Sequence, residues 1–392
     1  MAIYMKTLIY WAADELEPVG GPRGYLYNLR SGLGDCLQVD FLPPAHPSGR
    51  AEEPNLRKNL AKCAPLRDLH LLLKLSSMRG RSVDAPVDFS RYDIVHFHST
   101  ADMYSCRRCL DDFGGVCLLT SHTPCAPHEE FYSWIQNDRV RNLARKLAKL
   151  ELVDKWAFER ADYVLFPCPE SKEPYYNTWS DFRGIDSSIQ YLYVPTGING
   201  CSARVTRGEV RNRHGVPRDA FVVSYVGRHV EIKGYSDLKR FAAADLESHP
   251  LDYYLIAGAE TPMSGLDHDR WVEVGWTNDP HSLIAASDVF VLPNRETYFD
   301  LIFLEVLSLG VPIVATRTGG NKFFDQFDCP GVFLYESDEE LAEYLDRLRS
   351  LDPSARKAIG ERNRELFKRR FSSDCFARSY LEALERIGGR KR

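Results

Sequence analysis

Short unbroken apolar runs recur along the chain, each followed by a longer stretch in which apolar residues return every third or fourth position. The first half carries TLIYW, IVHFH, VCLLT and YVLFP; the second carries FVVSYV, YYLIA, VFVLP and PIVA. A strand with one wet face alternates apolar and polar residues, whereas a continuous apolar run suits a strand covered on both faces. The intervening amphipathic stretches suit the crossover helices that cover such a sheet. The pattern predicts an α/β chain built on parallel sheets. Over residues 195–219 turn residues and charges replace the periodicity, and the apolar pattern restarts at Phe221, so two units are expected. Ligands of such sheets bind outside the carboxyl ends of the strands, and two units facing one another would enclose a cleft.

The totals narrow the classes. With 392 residues, 44% of them hydrophobic, the chain exceeds one compact core and suffices for two. A formal charge of −5 argues against a general nucleic-acid binder and favours small-molecule partners. The ten cysteines are scattered, which reads as reduced thiols in a cytoplasmic protein. Cys106 and Cys109 form a lone CxxC without partner ligands at zinc-like spacing, so no metal site is expected. The amino-terminal segment turns acidic after a short apolar run, which reads as a first strand and not a secretory leader. The sequence has no run of about eighteen uncharged apolar residues of the kind that crosses a bilayer.

Candidate chemistry falls just after the strands. Gly20 and Gly21 precede a helix that Pro22 opens, an arrangement that either brings backbone amides to an anion or simply makes a turn. Arg228 and Lys233 lie between Gly227 and Gly234 past FVVSYV, where a guanidinium fork and an ammonium point charge would clamp a diphosphate. His96 falls inside an apolar run and is assigned to the core; His98 is open between core and site; His122 begins a polar loop at the cleft edge. Glu129 and Glu130 read as a solvated acidic turn. In residues 293–321, Glu296 sits on a loop, Asp300 is the expected N-cap of the helix LIFLEVLSL, and Glu305 lies early in that helix, suited to accept hydrogen bonds from hydroxyl groups.

Taken in order, YDIVHFHS, SHTP, ERADYVLFPCPESKE, YVPTGI, GRHVEIKG and YFDLIFLEVLSLGVPIVATRTGG resemble the motif series of retaining glycosyltransferases of the GT-B fold, specifically glycosyltransferase family 4. The likeness covers nearly the whole chain. It implies an α/β protein of two Rossmann-like domains facing across a donor-binding cleft: residues 1–200 on the acceptor side, 201–370 on the donor side, and 371–392 as a terminal helix crossing back to the first domain. It implies transfer of a sugar from a nucleotide-diphosphate sugar, UDP- or GDP-linked, to a sugar, lipid-linked or protein-linked acceptor hydroxyl, without a metal or other cofactor. Surface polysaccharide, glycolipid or glycoprotein synthesis is the implied setting. By position, Arg228 and Lys233 match the pair on the donor diphosphate, and Glu305 matches the second glutamate of the E-x7-E signature, on the ribose hydroxyls. Gly20 and Gly21 resemble the first-domain glycine loop, His122 the histidine near the reacting carbon, and Phe299 and Leu301 the residues flanking the site through backbone amides.

The chain departs from the pattern at one loop. Thr297 stands where the first signature glutamate belongs, Glu296 lies one residue early, and Asp300 replaces the usual glycine. Glu296, Thr297 and Asp300 are therefore all candidates for the missing glutamate's work on the donor sugar. A carboxylate beside a diphosphate is repulsive, so Asp300 is expected to cap the helix or meet sugar hydroxyls. Two other readings compete: a non-catalytic relative serving as a binding or partner subunit, and another enzyme of the same fold such as an epimerase or phosphorylase. Finally, two basic amphipathic stretches begin at Leu56 and Arg139. The commoner explanation for both is a crossover helix with a solvated basic face; for the first, a helix docking on an anionic membrane toward a lipid-linked acceptor is the alternative, which would place the protein at the inner face.

Overall fold

A computed structural model describes residues 5–12, 15–18, 20–42 and 64–390. The first part of the earlier basic stretch, residues 56–63, lies outside the described residues, as do positions 13, 14 and 19 of the acidic loop.

Every apolar run singled out in the sequence forms a strand. In the first unit these are β1 (Thr7–Tyr10), β3 (Ile94–Phe97), β4 (Val116–Leu119) and β5 (Tyr163–Phe166). In the second they are β7 (Phe221–Val226), β8 (Asp252–Ala257), β10 (Val289–Leu292) and β11 (Ile313–Thr316). Four strands that the pattern did not signal complete the sheets: β2 (Val39–Phe41), β6 (Tyr191–Tyr193), β9 (Trp271–Gly275) and β12 (Val332–Tyr335). The result is two six-stranded sheets, ordered β2-β1-β3-β4-β5-β6 and β12-β11-β10-β7-β8-β9. Every pairing is parallel, so the buried, unalternating character of the central strands follows from helices on both faces.

The order within each sheet fixes where a ligand fits. In the first sheet the chain leaves β1 for β2 on one side and returns through β3 on the other; in the second it leaves β7 for β8 and returns through β10. The loops after β1 and β3, and those after β7 and β10, therefore diverge and leave a crevice at the carboxyl edge of each sheet.

The chain passes between the units twice at one place. Ile198 donates to and accepts from the backbone at Phe371 and Ser373, each at 2.9 Å. The last helix, Ser373–Arg390, then packs on the helix Gly21–Leu33 of the first unit. Phe376, Tyr380, Leu384 and Ile387 are buried in one core with Ile9, Leu26 and Leu29. At roughly 1.5–3 kcal/mol for each large apolar side chain removed from water, those four residues tie the tail to the first sheet far more firmly than an exposed helix would hold.

Candidate active site

The cleft is built where the carboxyl edges of the two sheets meet. Lys233 ends a short 3-10 turn after β7, and Asp300 follows β10 by one loop, so the two sit on either side of the second sheet's crevice. Lys233 Nζ lies 2.7 and 3.0 Å from the two carboxylate oxygens of Asp300. Asn294, the second residue beyond β10, donates its side-chain amide to the same carboxylate. Asp300 occupies the N-cap position of the helix Leu301–Leu309 with extended backbone, but its side chain makes no capping hydrogen bond. The carboxylate is drawn to Lys233 instead, which outcompetes neutral amide donors because the ammonium is charged. The opening amides of that helix, at Leu301 and Ile302, have no carbonyl one turn back to bond.

One glycine makes this meeting geometrically feasible. Gly234 has φ +65°, and a Cβ there would lie 1.7 Å from the Pro293 carbonyl oxygen, so the two loops pass backbone to backbone. Ile232 O takes the Arg295 amide at 3.1 Å and fixes their register. Arg228, the other expected cation, is exposed and makes no salt bridge or side-chain hydrogen bond among the described residues. Glu305 lies one turn into its helix, where its carboxylate meets His281 Nε2 at 3.2 Å. The Cys201 thiol and then Glu305 hold the His281 imidazolium well above its ordinary range, to about 10.

The loop that departs from the family pattern is held between the units. Thr297 is buried, and its carbonyl accepts from Gly320 at 3.2 Å. A Cβ on Gly319, at φ +42°, would stand 2.0 Å from that carbonyl, which accounts for the glycine pair after β11. Glu296 does not face Lys233: it reaches Asn177 of the first unit, whose amide donates to Oε1 at 2.8 Å, and burial raises its carboxyl pKa. Ser171 closes the same seam by donating to the Tyr298 carbonyl at 2.8 Å. Phe299 packs against Phe323 and Phe324, with its ring centroid 5.9 and 5.8 Å from theirs.

From the first unit, His122 follows β4 and sits with its ring centroid 6.2 Å from Tyr298. Its Nε2 lies 3.0 Å from His98 Nδ1, and His98 in turn packs on the buried His96. His96 is tied into the core by Tyr380 and Thr120, both at 2.8 Å, in keeping with its sequence assignment; His98 resolves as the buried support of His122. Burial holds all three rings neutral, depressing His122 to about 3. Gly20 and Gly21 open the helix Gly21–Leu33, and a Cβ on either would meet nothing within 4 Å.

Two residues were misjudged from sequence. Glu129 and Glu130 lie on the helix Pro127–Ser133, not in a turn. Glu129 pairs with Arg145 at 2.6 Å, whereas Glu130 is half-buried, and burial raises its carboxyl pKa against the opposing pull of Arg228 and Lys233. Asn294 was not singled out, though its place directly after a strand was the available signal. Among the described residues, Asp245, His249 and Asp252 could gather round a metal ion, but Arg349 pairs with both aspartates, and Asp252 begins β8 at the edge away from the cleft.

A model of the family described as glycosyl transferases group 1 matches residues 220–350, the segment holding Arg228, Lys233, Asp300 and Glu305. A D-inositol 3-phosphate glycosyltransferase of Corynebacterium jeikeium (strain K411) is 30% identical over 293 residues, 69% of this chain and 67% of that protein. The chain belongs to the group 1 glycosyltransferases. A second relative of this glycosyltransferase, the UDP-Gal:alpha-D-GlcNAc-diphosphoundecaprenol alpha-1,3-galactosyltransferase of Escherichia coli, is 24% identical over 309 residues, 73% of this chain and 70% of its own. The architecture is also that of HepE from Anabaena, solved in complex with UDP and glucose: TM-score 0.59 at 16% identity, over 97% of this chain and 99% of that one. The two facing parallel sheets of the glycosyltransferase are thus a GT-B fold.

Proposed function

We propose that this glycosyltransferase moves a sugar from a nucleotide-diphosphate sugar to an acceptor hydroxyl, with retention at the anomeric carbon and without a metal ion. What supports the reading is that Lys233 meets Asp300 at the start of the helix Leu301–Leu309, that Arg228 follows β7 exposed and without a salt bridge among the described residues, and that His122 of the first unit packs against Tyr298 of the loop before that helix. The anomeric carbon–phosphate oxygen bond breaks, charge grows on the diphosphate, and the two cations and the helix amides receive it. The acceptor oxygen bonds to the same face of that carbon, and its proton passes to the departing phosphate oxygen. Preformed cations supply here the charge that a divalent ion supplies elsewhere. His122, held neutral by burial and steadied by His98, orients the sugar and is not a cationic acid. Glu305 takes the ribose hydroxyls, and the loop carrying Glu296 and Thr297 borders the sugar. UDP is the first donor nucleotide to try, because HepE was solved with it, and GDP the second. A thermal-shift panel of nucleotide-sugars, followed by NMR of the product's anomeric coupling in EDTA, tests the reading. It expects a stabilising donor and a retained anomer; inversion, or activity abolished by EDTA and restored by Mg2+, refutes it.

The acceptor is proposed to be lipid-linked and reached from a membrane surface. The helices Ala64–Met78 and Asp138–Ala148 share a core through Leu72, Leu75, Ala144 and Ala148. Their outer faces leave Leu66, Leu69, Leu73, Leu143 and Leu147 exposed beside Lys74, Arg139, Lys146 and Lys149. Leucines in a field of cations suit an anionic bilayer, and no described helix is long and apolar enough to cross one. The E. coli relative's acceptor, by its name, is a diphosphoundecaprenol carrier. Co-sedimentation with anionic but not neutral vesicles, lost in Leu69→Glu/Leu73→Glu, is expected; equal recovery in the supernatant with both vesicle types overturns it.

A further inference from the structure

We propose that Asp300 is a built-in counter-anion: until a donor binds it holds the place on Lys233 that the donor's diphosphate takes, and so sets how tightly nucleotide is bound and how readily it leaves. The inference rests on the diphosphate reading of Lys233 and goes beyond it.

Three observations converge. The Asp300 carboxylate engages Lys233 Nζ with both oxygens, at 2.7 and 3.0 Å, and also takes the Asn294 amide. Among the described residues its side chain hydrogen-bonds only Lys233 and Asn294: although Asp300 stands at the N-cap, it bonds none of the helix amides. And Arg228 is exposed and has no salt bridge among the described residues, so one cation of the pair is neutralised and the other is open. The side chains of Lys233 and Asp300 are only 18% and 19% exposed, so the pair is screened less than a surface ion pair. Charge bookkeeping then separates two states. With Asp300 on Lys233, the cluster of Arg228, Lys233 and Asp300 carries one net positive charge. With Asp300 displaced, the diphosphate meets two cations, but the freed carboxylate lies close beside it and repels it. Donor binding therefore has to overcome the lysine–aspartate attraction, and once transfer is complete the return of Asp300 to Lys233 helps the nucleotide leave. Asn294 makes the exchange local, because it can keep hold of the carboxylate while the ammonium turns to phosphate.

The test is titration calorimetry of UDP, GDP and ADP into the full chain and its variants, read on whichever nucleotide binds the wild type most tightly. Asp300→Asn keeps the side chain's size and removes its charge; Asp300→Ala is the second variant should the first not fold. Removing the charge is expected to tighten nucleotide binding about tenfold, with a steeper salt dependence, since two unopposed cations then face the phosphates. In Lys233→Ala the same Asp300 substitution should give no more than a residual gain, because the competition is for the ammonium. A merely structural role for Asp300 predicts a loss and not a gain. If nucleotide affinity is unchanged or weaker in both Asp300 variants while Lys233→Ala still binds poorly, the counter-anion is refuted and the diphosphate reading survives. If Lys233→Ala binds nucleotide as the wild type does, the diphosphate reading itself falls. If the Asp300 variants weaken the nucleotide-sugar but not the free nucleotide, Asp300 is a sugar ligand and the proposal is overturned.

Discussion

Replacing Gly234 with alanine probes how closely the chemistry depends on the two loops that meet at the second sheet's crevice. The added Cβ would stand 1.7 Å from the Pro293 carbonyl oxygen and 2.6 Å from its carbon. Ordinary van der Waals contact begins near 3.4 Å, so one loop must retreat by about 3.4 − 1.7, or about 1.7 Å. Alanine at φ +65° adds roughly 1–2 kcal/mol of left-handed strain. Lys233 precedes the substituted residue and Asn294 follows the carbonyl it strikes, so whichever loop yields, the ammonium and its partners separate. A displacement near 1 Å at a reacting site costs on the order of 100-fold in rate. We therefore expect donor affinity or kcat/KM to fall by about two orders of magnitude. The strain lowers the melting temperature by only about 2–4 °C for each kcal/mol in units of this size, and the circular dichroism of the folded protein should persist. Calorimetry with the best-binding nucleotide and the rate of nucleotide-sugar turnover or slow hydrolysis read the first effect, and a thermal melt reads the second. A Gly234→Ala protein that melts a few degrees lower yet binds and turns over donor within twofold of the wild type would refute the reasoning.

Other consequences are open to simpler assays. Glu305→Gln should weaken a ribonucleoside diphosphate about tenfold while leaving its 2′,3′-dideoxy counterpart unaffected, because the carboxylate is assigned to the ribose hydroxyls; an equal loss for both would place Glu305 elsewhere. His122, ordinarily near 6.5, is depressed to about 3 by burial, so below pH 6.5 the unfolded chain takes up a proton that the folded ring refuses, and stability falls with pH. At pH 5 that term is about 2 kcal/mol, and His96 and His98 add to it with the same sign. His122→Asn should accordingly lose about 2 kcal/mol less than the wild type between pH 7 and pH 5 in denaturant titrations; parallel curves would contradict the linkage.

What could be read from the sequence divides along physical lines. The eight strands legible as apolar runs are the interior strands of the two sheets, covered on both faces; the four that were missed, β2, β6, β9 and β12, are the four edges. The edges β2 and β6 have three residues each and are only partly buried, and β9 is interrupted by Glu273, so these three carry little of the signal that burial imposes; β12, buried at Phe333, Leu334 and Tyr335, did offer an apolar run. The candidate site was legible to the extent that strand ends determine it: Arg228, Lys233, His122 and the loop from Asn294 to Asp300 all follow strands in order. Partnerships within it were not. That Asp300 would turn from the helix to Lys233, or that Glu296 would cross to Asn177, depends on the path of two loops relative to one another and not on residue type. Glu130 misled for a similar reason, since a pair of glutamates after a proline reads as a turn until the helix it opens is placed against the cleft.

The central claim is that a nucleotide's diphosphate lies at the crevice between β7 and β10, held by Arg228 and Lys233. A crystal structure of the full chain grown with UDP, or with GDP should that nucleotide bind more tightly, tests it most directly. The account predicts both phosphates within hydrogen-bonding distance of the Arg228 guanidinium and the Lys233 ammonium, with Asp300 drawn off that lysine; nucleotide bound elsewhere, or phosphates in the cleft with both cations turned away, would contradict it.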